Sequence, residues 1–209
     1  MTIPRPGKIV CVGRNYVAHA TELGHAVPKQ PLIFLKPPSA VIGPGQAIVL
    51  PPASQQVEHE AEIGVIIGRT LRRAALAEVR TAIAGITCVN DVTARDLQRS
   101  DEQWTRAKGF DTFCPMGPEV VPVDPDRLTD LVVVCRVNAA ERQRGHTRDM
   151  VFPITALVAY ISHMMTLETG DLIATGTPEG VGPLRPGDMV EVEIPGVCLL
   201  SNPVAAAGS

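Results

Sequence analysis

Nineteen prolines and eighteen glycines are spread along this chain of 209 residues, where they separate short runs of β-branched and other apolar residues. Proline removes a backbone hydrogen-bond donor and glycine favours turns, so neither suits long uninterrupted helices. Short apolar runs bounded by such residues are typical of strands. The sequence therefore predicts a mainly β fold of the α+β type, with many short strands and a few short helices.

The apolar periodicity predicts where these elements lie. Strands are expected at residues 9–12, 32–35, 47–50, 58–67, 85–89, 131–137, 171–175 and 189–194. Helices are expected at residues 16–23, 76–84, 94–100 and 155–165. The chain shows no doubly wound alternation of strands and helices and no internal repeat, and its alanine-rich tail, residues 205–209, is expected to fray.

Length, composition and charge limit the class of protein. A chain of 209 residues with 45% hydrophobic residues can bury a core, so one domain spanning residues 1–209 is expected. The formal net charge is -3 and no run of lysine or arginine is present. The chain therefore lacks the positively charged surface that is typical of nucleic-acid-binding proteins. We therefore expect no nucleic-acid partner.

The sequence also indicates a cellular location. Its first residues lack the apolar segment of a signal peptide and no apolar run is long enough to cross a bilayer, so no membrane partner is expected. The five cysteines are widely scattered without a C-x-x-C pair, which argues against a disulfide framework and a zinc site. We expect reduced thiols and a cytoplasmic location.

The most informative segment is Val57-Glu58-His59-Glu60-Ala61-Glu62-Ile63-Gly64, which continues into an apolar run and is predicted to belong to one strand. Side chains two positions apart on a strand share a face at a spacing of about 6.6 Å, so Glu60 and Glu62 can converge on one ion. Burying several glutamates on one face is costly unless a cation compensates them. An isolated E-x-E pair is also typical of a solvated strand face.

A third carboxylate, Asp91, follows the predicted strand at residues 85–89. An aspartate there can equally begin a turn or cap the next helix. If Glu60, Glu62 and Asp91 meet, an all-oxygen site with three negative charges favours Mg²⁺ or Mn²⁺, with Ca²⁺ possible in their place. Lys108 would then make carboxylates, ion and lysine formally neutral, although a lysine can also lie on the surface.

Six short segments carry a more specific signal. They are Cys11-Val12-Gly13-Arg14-Asn15-Tyr16, Phe34-Leu35-Lys36-Pro37, His59-Glu60-Ala61-Glu62-Ile63-Gly64, Asn90-Asp91-Val92-Thr93-Ala94-Arg95-Asp96, Ala107-Lys108-Gly109-Phe110-Asp111 and Thr175-Gly176-Thr177-Pro178-Glu179-Gly180-Val181-Gly182. In this order they resemble motifs of the fumarylacetoacetate hydrolase family, specifically its short acylpyruvase and oxaloacetate decarboxylase members. The resemblance spans nearly the whole chain.

The resemblance implies the family's mixed β-sandwich roll, a homodimer, and the short form without the extra N-terminal domain of the family's larger namesake. It places Glu60, Glu62 and Asp91 at the three metal-ligand positions and leaves Glu58 outside that set. The substrate contacts that it implies are Thr177, Arg14 and Gly109.

His19 and Glu22 are three residues apart and would share one face of a short helix. Such a pair can be an ordinary polar face or supply metal ligands, and in the acylpyruvases it matches a mobile lid that supplies the base.

The expected reaction is hydrolysis of a carbon–carbon bond in a small acylpyruvate. Lys108 and Thr177 would orient its pyruvoyl group. His19 and Glu22 would then activate water, and Gln98 is a candidate oxyanion donor.

Other activities stay open at this point. An oxaloacetate decarboxylase, an oxaloacetate tautomerase and a 5-carboxymethyl-2-hydroxymuconate isomerase pass through related enols, and a protein that binds a small 2-oxo acid without turnover is a further alternative. Decarboxylation needs chiefly the metal and Lys108, so His19→Ala should separate it from hydrolysis. Residues 101–104 are candidates for the pocket wall, while Arg14, Lys36 and Arg95 can equally pair with structural carboxylates or support the dimer.

Overall fold

A computed structural model describes residues 5–22 and 26–208, without the side chains of residues 19–21. The strands are β1 (Ile9–Gly13), β2 (Leu32–Lys36), β3 (Val41–Ile42), β4 (Ile48–Leu50), β5 (Val57–His59), β6 (Ala61–Ile67), β7 (Ile83–Asn90), β8 (Thr93–Ala94), β9 (Cys114–Val121), β10 (Val132–Val137), β11 (Ala140–His146), β12 (Leu172–Ala174), β13 (Gly182–Pro183), β14 (Met189–Ile194) and β15 (Cys198–Ala206). The helices are α1 (Val17–Glu22), α2 (Leu76–Arg80), α3 (Arg95–Ser100), α4 (Thr105–Lys108) and α5 (Ile154–Met164). Among these helices, none is long and apolar enough to span a bilayer.

The strands form three sheets within the described residues. The largest has the order β2-β1-β12-β6-β7-β9-β3, the second β11-β10-β14-β15-β4, and the smallest β13-β5-β8. Most neighbours are antiparallel, but β1 pairs in parallel with β12, β3 with β9, and β15 with β4. The mainly β fold with short helices is therefore confirmed, and its sheets are mixed.

The core lies between the two larger sheets. Strands β10, β14 and β15 face β6, β7 and β9, and the side chains between them are aliphatic. Examples are Val65 and Ile86 from the largest sheet and Val133 and Val192 from the second, each with at most 1% of its surface exposed. Burying this apolar surface is the main stabilising contribution to the stacked arrangement.

The predicted strands recur with small shifts, but three long strands were missed. Strand β9 contains two prolines and a glycine, β11 is mostly polar, and β15 contains Pro203. Strand β9 pairs with β7 and β3 and strand β15 with β4, all distant in sequence, whereas β11 pairs with the adjacent β10. Local residue patterns do not report this backbone pairing. For the same reason the prediction that the tail frays is wrong at Ala205 and Ala206, which pair with Val49 and Leu50 of β4.

The predicted strand at residues 58–67 is wrong in one respect, because it is two strands in different sheets. Strand β5 pairs with β8 and β13, whereas β6 pairs with β7 and β12. Glu60 lies at the crossing point between them, where its N–H donates to Asn90 Oδ1 at 2.9 Å. Its carbonyl accepts from the Asp91 N–H at 2.8 Å. The crossing therefore brings the acidic segment to the end of β7.

Candidate active site

Three carboxylates meet where the acidic segment passes the end of β7. One oxygen from each of Glu60, Glu62 and Asp91 lies within 4.8 Å of the others, and all three residues are buried. Strand β7 carries Asp91 immediately after its last residue, while Glu60 and Glu62 flank the first residue of β6. The structure thus brings together the three residues predicted to hold a metal.

Two buried lysines neutralise part of this charge. Lys108 Nζ donates to Glu60 Oε2 at 2.8 Å and to Asp91 Oδ2 at 2.6 Å. Lys36 Nζ donates to the other Asp91 oxygen at 2.6 Å. Burial by itself lowers the pKa of Lys108, but the charges of Asp91 and Glu60 outweigh it and raise the pKa above its ordinary value. Lys108 therefore stays protonated.

Arg95 links the acidic segment to helix α3. Its Nε donates to Glu58 Oε2 at 2.8 Å, and its Nη2 pairs with Glu60. Its Nη1 donates to Gln98 Oε1, so the amide nitrogen of Gln98 keeps its own hydrogens for another acceptor. Of the two roles left open for Lys36 and Arg95, the structure shows pairing with carboxylates.

Glu62 is the carboxylate without a cationic partner among the described residues. Its Oε2 accepts from the Gly176 N–H at 2.7 Å. Burial, followed by the charges of Asp91 and Glu60, raises the pKa of Glu62 well above its ordinary value. A buried carboxylate crowded by like charges fits a site that takes up a further cation. The acidic cluster can thus hold a metal ion.

The opposite face of the acidic segment is neutral and hydrogen-bonded. Gln143 Oε1 accepts from the Ala61 N–H at 3.0 Å and lies 2.9 Å from His59 Nδ1, so His59 donates through that nitrogen. Gln143 Nε2 donates to Thr177 Oγ1 at 2.8 Å, and the Thr177 hydroxyl donates to the Ala61 carbonyl at 2.9 Å. Burial lowers the pKa of His59, which favours its neutral form.

Gln143 was missed by the sequence analysis. It lies in β11, which was not predicted, and no motif surrounds it. The signal that could have found it is the buried Thr177 hydroxyl, which needs a donor from outside the glycine-rich segment.

A cavity of about 260 Å³ opens beside the carboxylates. The polar and aromatic residues on its wall, besides Glu60 and Glu62, are Arg14, Arg95, Gln98, Arg99, Trp104 and Thr177. Three predicted residues, Arg14, Gln98 and Thr177, therefore reach the cavity. Trp104, from the segment at residues 101–104, also lines the cavity.

Gly109 has a different place. It is not among the described residues that line the cavity, and it follows the end of α4. A Cβ at this position would lie 2.5 Å from the Thr105 carbonyl oxygen and 3.3 Å from Pro37 Cδ. The glycine therefore allows the close packing that positions Lys108 beside it.

The predicted base pair is described in part. The His19 side chain lies outside the described residues, as do residues 23–25 at the end of the predicted helix. The Glu22 carboxylate is exposed and accepts from the Gly180 N–H at 3.1 Å. Glu22 is thus held against the glycine-rich segment that also carries Thr177.

The family described as "Fumarylacetoacetate (FAA) hydrolase C-terminal" matches residues 8–205. The chain belongs to the fumarylacetoacetate hydrolase family. The resemblance found in the sequence is therefore confirmed.

Three relatives illustrate its place in the fumarylacetoacetate hydrolase family. An uncharacterized protein of Pyrococcus horikoshii, PH0643, is 49% identical over 209 residues, covering 98% of this chain and 91% of its own. The human mitochondrial oxaloacetate tautomerase FAHD2A is 42% identical, covering 97% of this chain and 68% of its own. The crystal structure of 5-carboxymethyl-2-hydroxymuconate delta-isomerase from Mycobacterium smegmatis is 46% identical with a TM-score of 0.90, covering 98% and 81%.

These relatives bear out the family and the fold, and family members often bind a divalent metal. Two of these relatives are named as a tautomerase and an isomerase, activities that stood among the alternatives drawn from the sequence. Acylpyruvate hydrolysis stays a prediction.

Proposed function

We propose that the protein is a divalent-metal-dependent enzyme that moves a proton on a small 2-oxo acid, as a keto–enol tautomerase or double-bond isomerase. The observation that carries the proposal is the buried cluster of Glu60, Glu62 and Asp91, with Lys108 against it, beside a cavity of suitable size. The tautomerase and isomerase among the relatives support the same class of reaction. Because the ligands are all oxygen, Mg²⁺ or Mn²⁺ is the proposed ion.

The residues around the cavity bind and orient the acid. Lys108 is not among the described residues that line the cavity and acts by holding the carboxylates of Glu60 and Asp91, while the Gln98 amide nitrogen can donate to an oxygen of the bound acid. The Thr177 hydroxyl, held by Gln143 and Ala61, keeps the facing wall rigid. A bound divalent ion would supply Lewis-acid stabilisation of negative charge developing on the 2-oxo oxygen.

The proton transfer needs a base near the carbon next to the 2-oxo group. Lys108 is not assigned this role, because its ammonium group is held between Glu60 and Asp91. Glu22 is the candidate: neither it nor Gly180 is among the described residues that line the cavity, but its exposed carboxylate accepts from the Gly180 N–H, three residues after Thr177 of the cavity wall. Together with His19 on the same helix, Glu22 removes a proton from that carbon. A proton returns to the oxygen or to another carbon, so the product is an isomer of the substrate.

Hydrolysis of acylpyruvates is the second candidate, and the position of Glu22 favours it equally. A water molecule that loses its proton to Glu22 and His19 would attack the carbonyl far from the carboxylate. Breaking the adjacent carbon–carbon bond would then release a carboxylic acid, and pyruvate would leave as its enolate. The two reactions differ in whether water is consumed.

One set of assays distinguishes these candidates. With Mg²⁺ or Mn²⁺, we expect the protein to convert enol oxaloacetate to the keto form faster than buffer containing the same metal, and a chelator should abolish the effect. Pyruvate release from acetylpyruvate and fumarylpyruvate reports hydrolysis, and pyruvate release from oxaloacetate reports decarboxylation. Activity on none of them, nor on 5-carboxymethyl-2-hydroxymuconate as the double-bond isomerase substrate, would contradict an enzymatic function and favour a protein that binds oxo acids.

Two variants test the base. Glu22→Gln should slow the reaction by at least about a hundredfold, the usual contribution of a positioned general base. The same change at the exposed Glu168, which pairs with Lys8, is the matched control. If acylpyruvate cleavage survives His19→Ala undiminished, the assignment of the base is wrong.

The homodimer implied by the family resemblance belongs to the same proposal. Strand β2 lies at the edge of the largest sheet and exposes Leu32 and Leu35, which suits an apolar contact with a second copy. Sedimentation equilibrium of the metal-loaded protein tests it, and a monomer at micromolar concentration would contradict it.

A further inference from the structure

The five cysteines of the chain have different surroundings. Cys11, Cys114 and Cys135 are buried, and none of their sulfur atoms is hydrogen-bonded to another cysteine of the described chain. Cys88 in β7 and Cys198 at the start of β15 form a hydrogen bond between their sulfur atoms, which lie 3.3 Å apart. One pair is therefore placed for chemistry that needs two sulfur atoms.

This pair spans the two larger sheets. Strand β7 belongs to the largest sheet and β15 to the second, and the two strands pack against each other across the core. Cys88 is part of that core and Cys198 packs against it. A disulfide requires a sulfur–sulfur distance of about 2.0 Å, so the two side chains need only a short further approach. The fold itself supplies this contact, because 110 positions of sequence separate the two residues.

The two thiols of the pair differ in exposure and acidity. Cys88 has no exposed surface, whereas Cys198 is partly exposed beside the turn at residues 195–197. The hydrogen bond from the Cys88 thiol lowers the pKa of Cys198. The same hydrogen bond, together with burial, raises the pKa of Cys88. Cys198 is therefore the sulfur that solvent reaches and that ionises first, while Cys88 keeps its proton.

The other three cysteines lack both properties. Burial raises the pKa of Cys114 and of Cys135 to about 12, and it raises the pKa of Cys11 well above its ordinary value. Because the thiolate is the form that reacts with oxidants, protonated and buried thiols react slowly. The five thiols thus separate into one pair suited to oxidation and three inert residues.

We infer that Cys88 and Cys198 are an oxidation site, at which a peroxide converts two thiols into a disulfide between the two larger sheets. The Cys198 thiolate attacks one oxygen of hydrogen peroxide, the oxygen–oxygen bond breaks, and Cys198 sulfenic acid and hydroxide form. The Cys88 sulfur then attacks the Cys198 sulfur, and the Cys88 proton leaves with the hydroxyl group as water. Two thiols are oxidised and one peroxide is reduced.

The disulfide has a consequence for stability. It closes a loop across the 110 positions that separate the two cysteines, and cross-links that close long loops restrict the unfolded chain most strongly. Reduction returns the two thiols, so the bond is reversible. We therefore expect oxidation to make the protein more resistant to unfolding, and a thiol reductant to remove this gain.

Peroxide treatment of the folded, Mg²⁺-loaded protein tests the site. We expect two of the five thiols to disappear, and digestion without reductant should yield the peptides of Cys88 and Cys198 joined together. Reductant should separate these peptides and restore both thiols. The midpoint of urea unfolding should rise by about 1 M or more on oxidation and return after reduction. An unchanged midpoint in fully cross-linked protein would overturn the stabilising effect.

Variants distinguish the roles of the two sulfur atoms. Cys198→Ser should slow the loss of the Cys88 thiol at least about tenfold, because the exposed thiolate that reacts first is gone. Cys88→Ser should leave Cys198 sulfenic acid without a resolving thiol, so that dimedone labels Cys198 in this variant and not in the wild type. Cys114→Ser removes a buried thiol outside the pair and is the matched control, in which the disulfide should form as in the wild type.

Three results would overturn the oxidation site itself. They are retention of all five thiols by the folded wild-type protein, oxidation of Cys198 to sulfinic acid without a link to Cys88, and a disulfide that joins the Cys198 residues of two chains. Mass spectrometry of the wild-type protein detects all three, so the test holds even if a variant does not fold. The outcome is independent of the proposed function, because neither substrate nor turnover is involved.

Discussion

The two faces of the acidic segment at residues 58–62 bury polar groups in different ways. One face carries Glu60 and Glu62, whose charges are met by cations and, at Glu62, left partly uncompensated. The other face carries His59, whose neutral ring is bonded to Gln143. One residue separates these environments along the chain.

The difference shows which face has all its polar groups satisfied by the protein alone. Neutral buried groups that satisfy one another's hydrogen bonds need nothing further. Buried charges remain costly unless every one is paired, and Glu62 has no cationic partner in the described chain. We therefore expect ligands to act on the charged face and the neutral face to serve as its support.

The largest effect is expected from Asp91→Asn, which removes one charge from the charged face. Because Asp91 would be a metal ligand and also holds Lys36 and Lys108, metal affinity and turnover should both fall by at least about a hundredfold. Calorimetry with Mn²⁺ and steady-state assays measure this. Asp126→Asn, on the surface beside Arg80, is the control. An Asp91→Asn protein that retains full Mn²⁺ affinity would remove the contrast between the faces.

Lys108→Met should cost the metal-free protein about 3 kcal/mol in free energy of unfolding, because it removes a buried cation shared by two buried carboxylates and leaves Glu60 with Arg95 alone and Asp91 with Lys36 alone. Mn²⁺ should restore part of this loss, since it supplies positive charge at the same carboxylates. Urea unfolding with and without Mn²⁺ measures both quantities. Arg106→Met, at an exposed ion pair, should change the free energy by less than about 0.5 kcal/mol.

Glu62→Gln sharpens the comparison because it removes the uncompensated charge and keeps the shape. Metal at about a hundred times its dissociation constant should stabilise the wild-type protein by about 2.7 kcal/mol, and this gain should vanish in the variant. Without metal, the variant should be at least as stable as the wild type, since the Gly176 N–H can still donate to the glutamine oxygen. Thermal unfolding of both proteins, in chelator and in Mn²⁺, measures these two differences in stability. A large loss of stability in chelator would show that Glu62 is already satisfied.

Gln143→Leu tests the neutral face and should have the smallest effect. Losing the bonds to Ala61, His59 and Thr177 should lower the free energy of unfolding by about 1–3 kcal/mol. The Mn²⁺ affinity should stay within about threefold, because Gln143 touches no acidic ligand. Gln55→Leu on the surface is the control for unfolding. A tenfold loss of Mn²⁺ affinity would show that the two faces are coupled.

Much of the charged face was predictable from the sequence because its signals are local. Glu60 and Glu62 are two residues apart, Asp91 follows a strongly apolar strand, and Lys108 stands in a recognisable motif. The neutral face was not predictable in the same way, since Gln143 and Thr177 meet across 34 positions of sequence. Of the two arginines Arg14 and Arg99 on the cavity wall, the sequence predicted only Arg14 as a substrate contact. Arg99 was not predictable, because only the position of α3 in the fold shows that it lines the cavity.

The sequence by itself determined the mainly β character, the set of acidic residues and the family, because apolar periodicity, turn residues and short motifs are written in neighbouring positions. The tertiary structure decided that the acidic segment changes sheets at Glu60, that Glu62 lacks a buried cation while its neighbours have one, and that two arginines face the same cavity. Those features depend on backbone pairing and charge proximity between distant parts of the chain, and such energies are fixed only when the chain has folded.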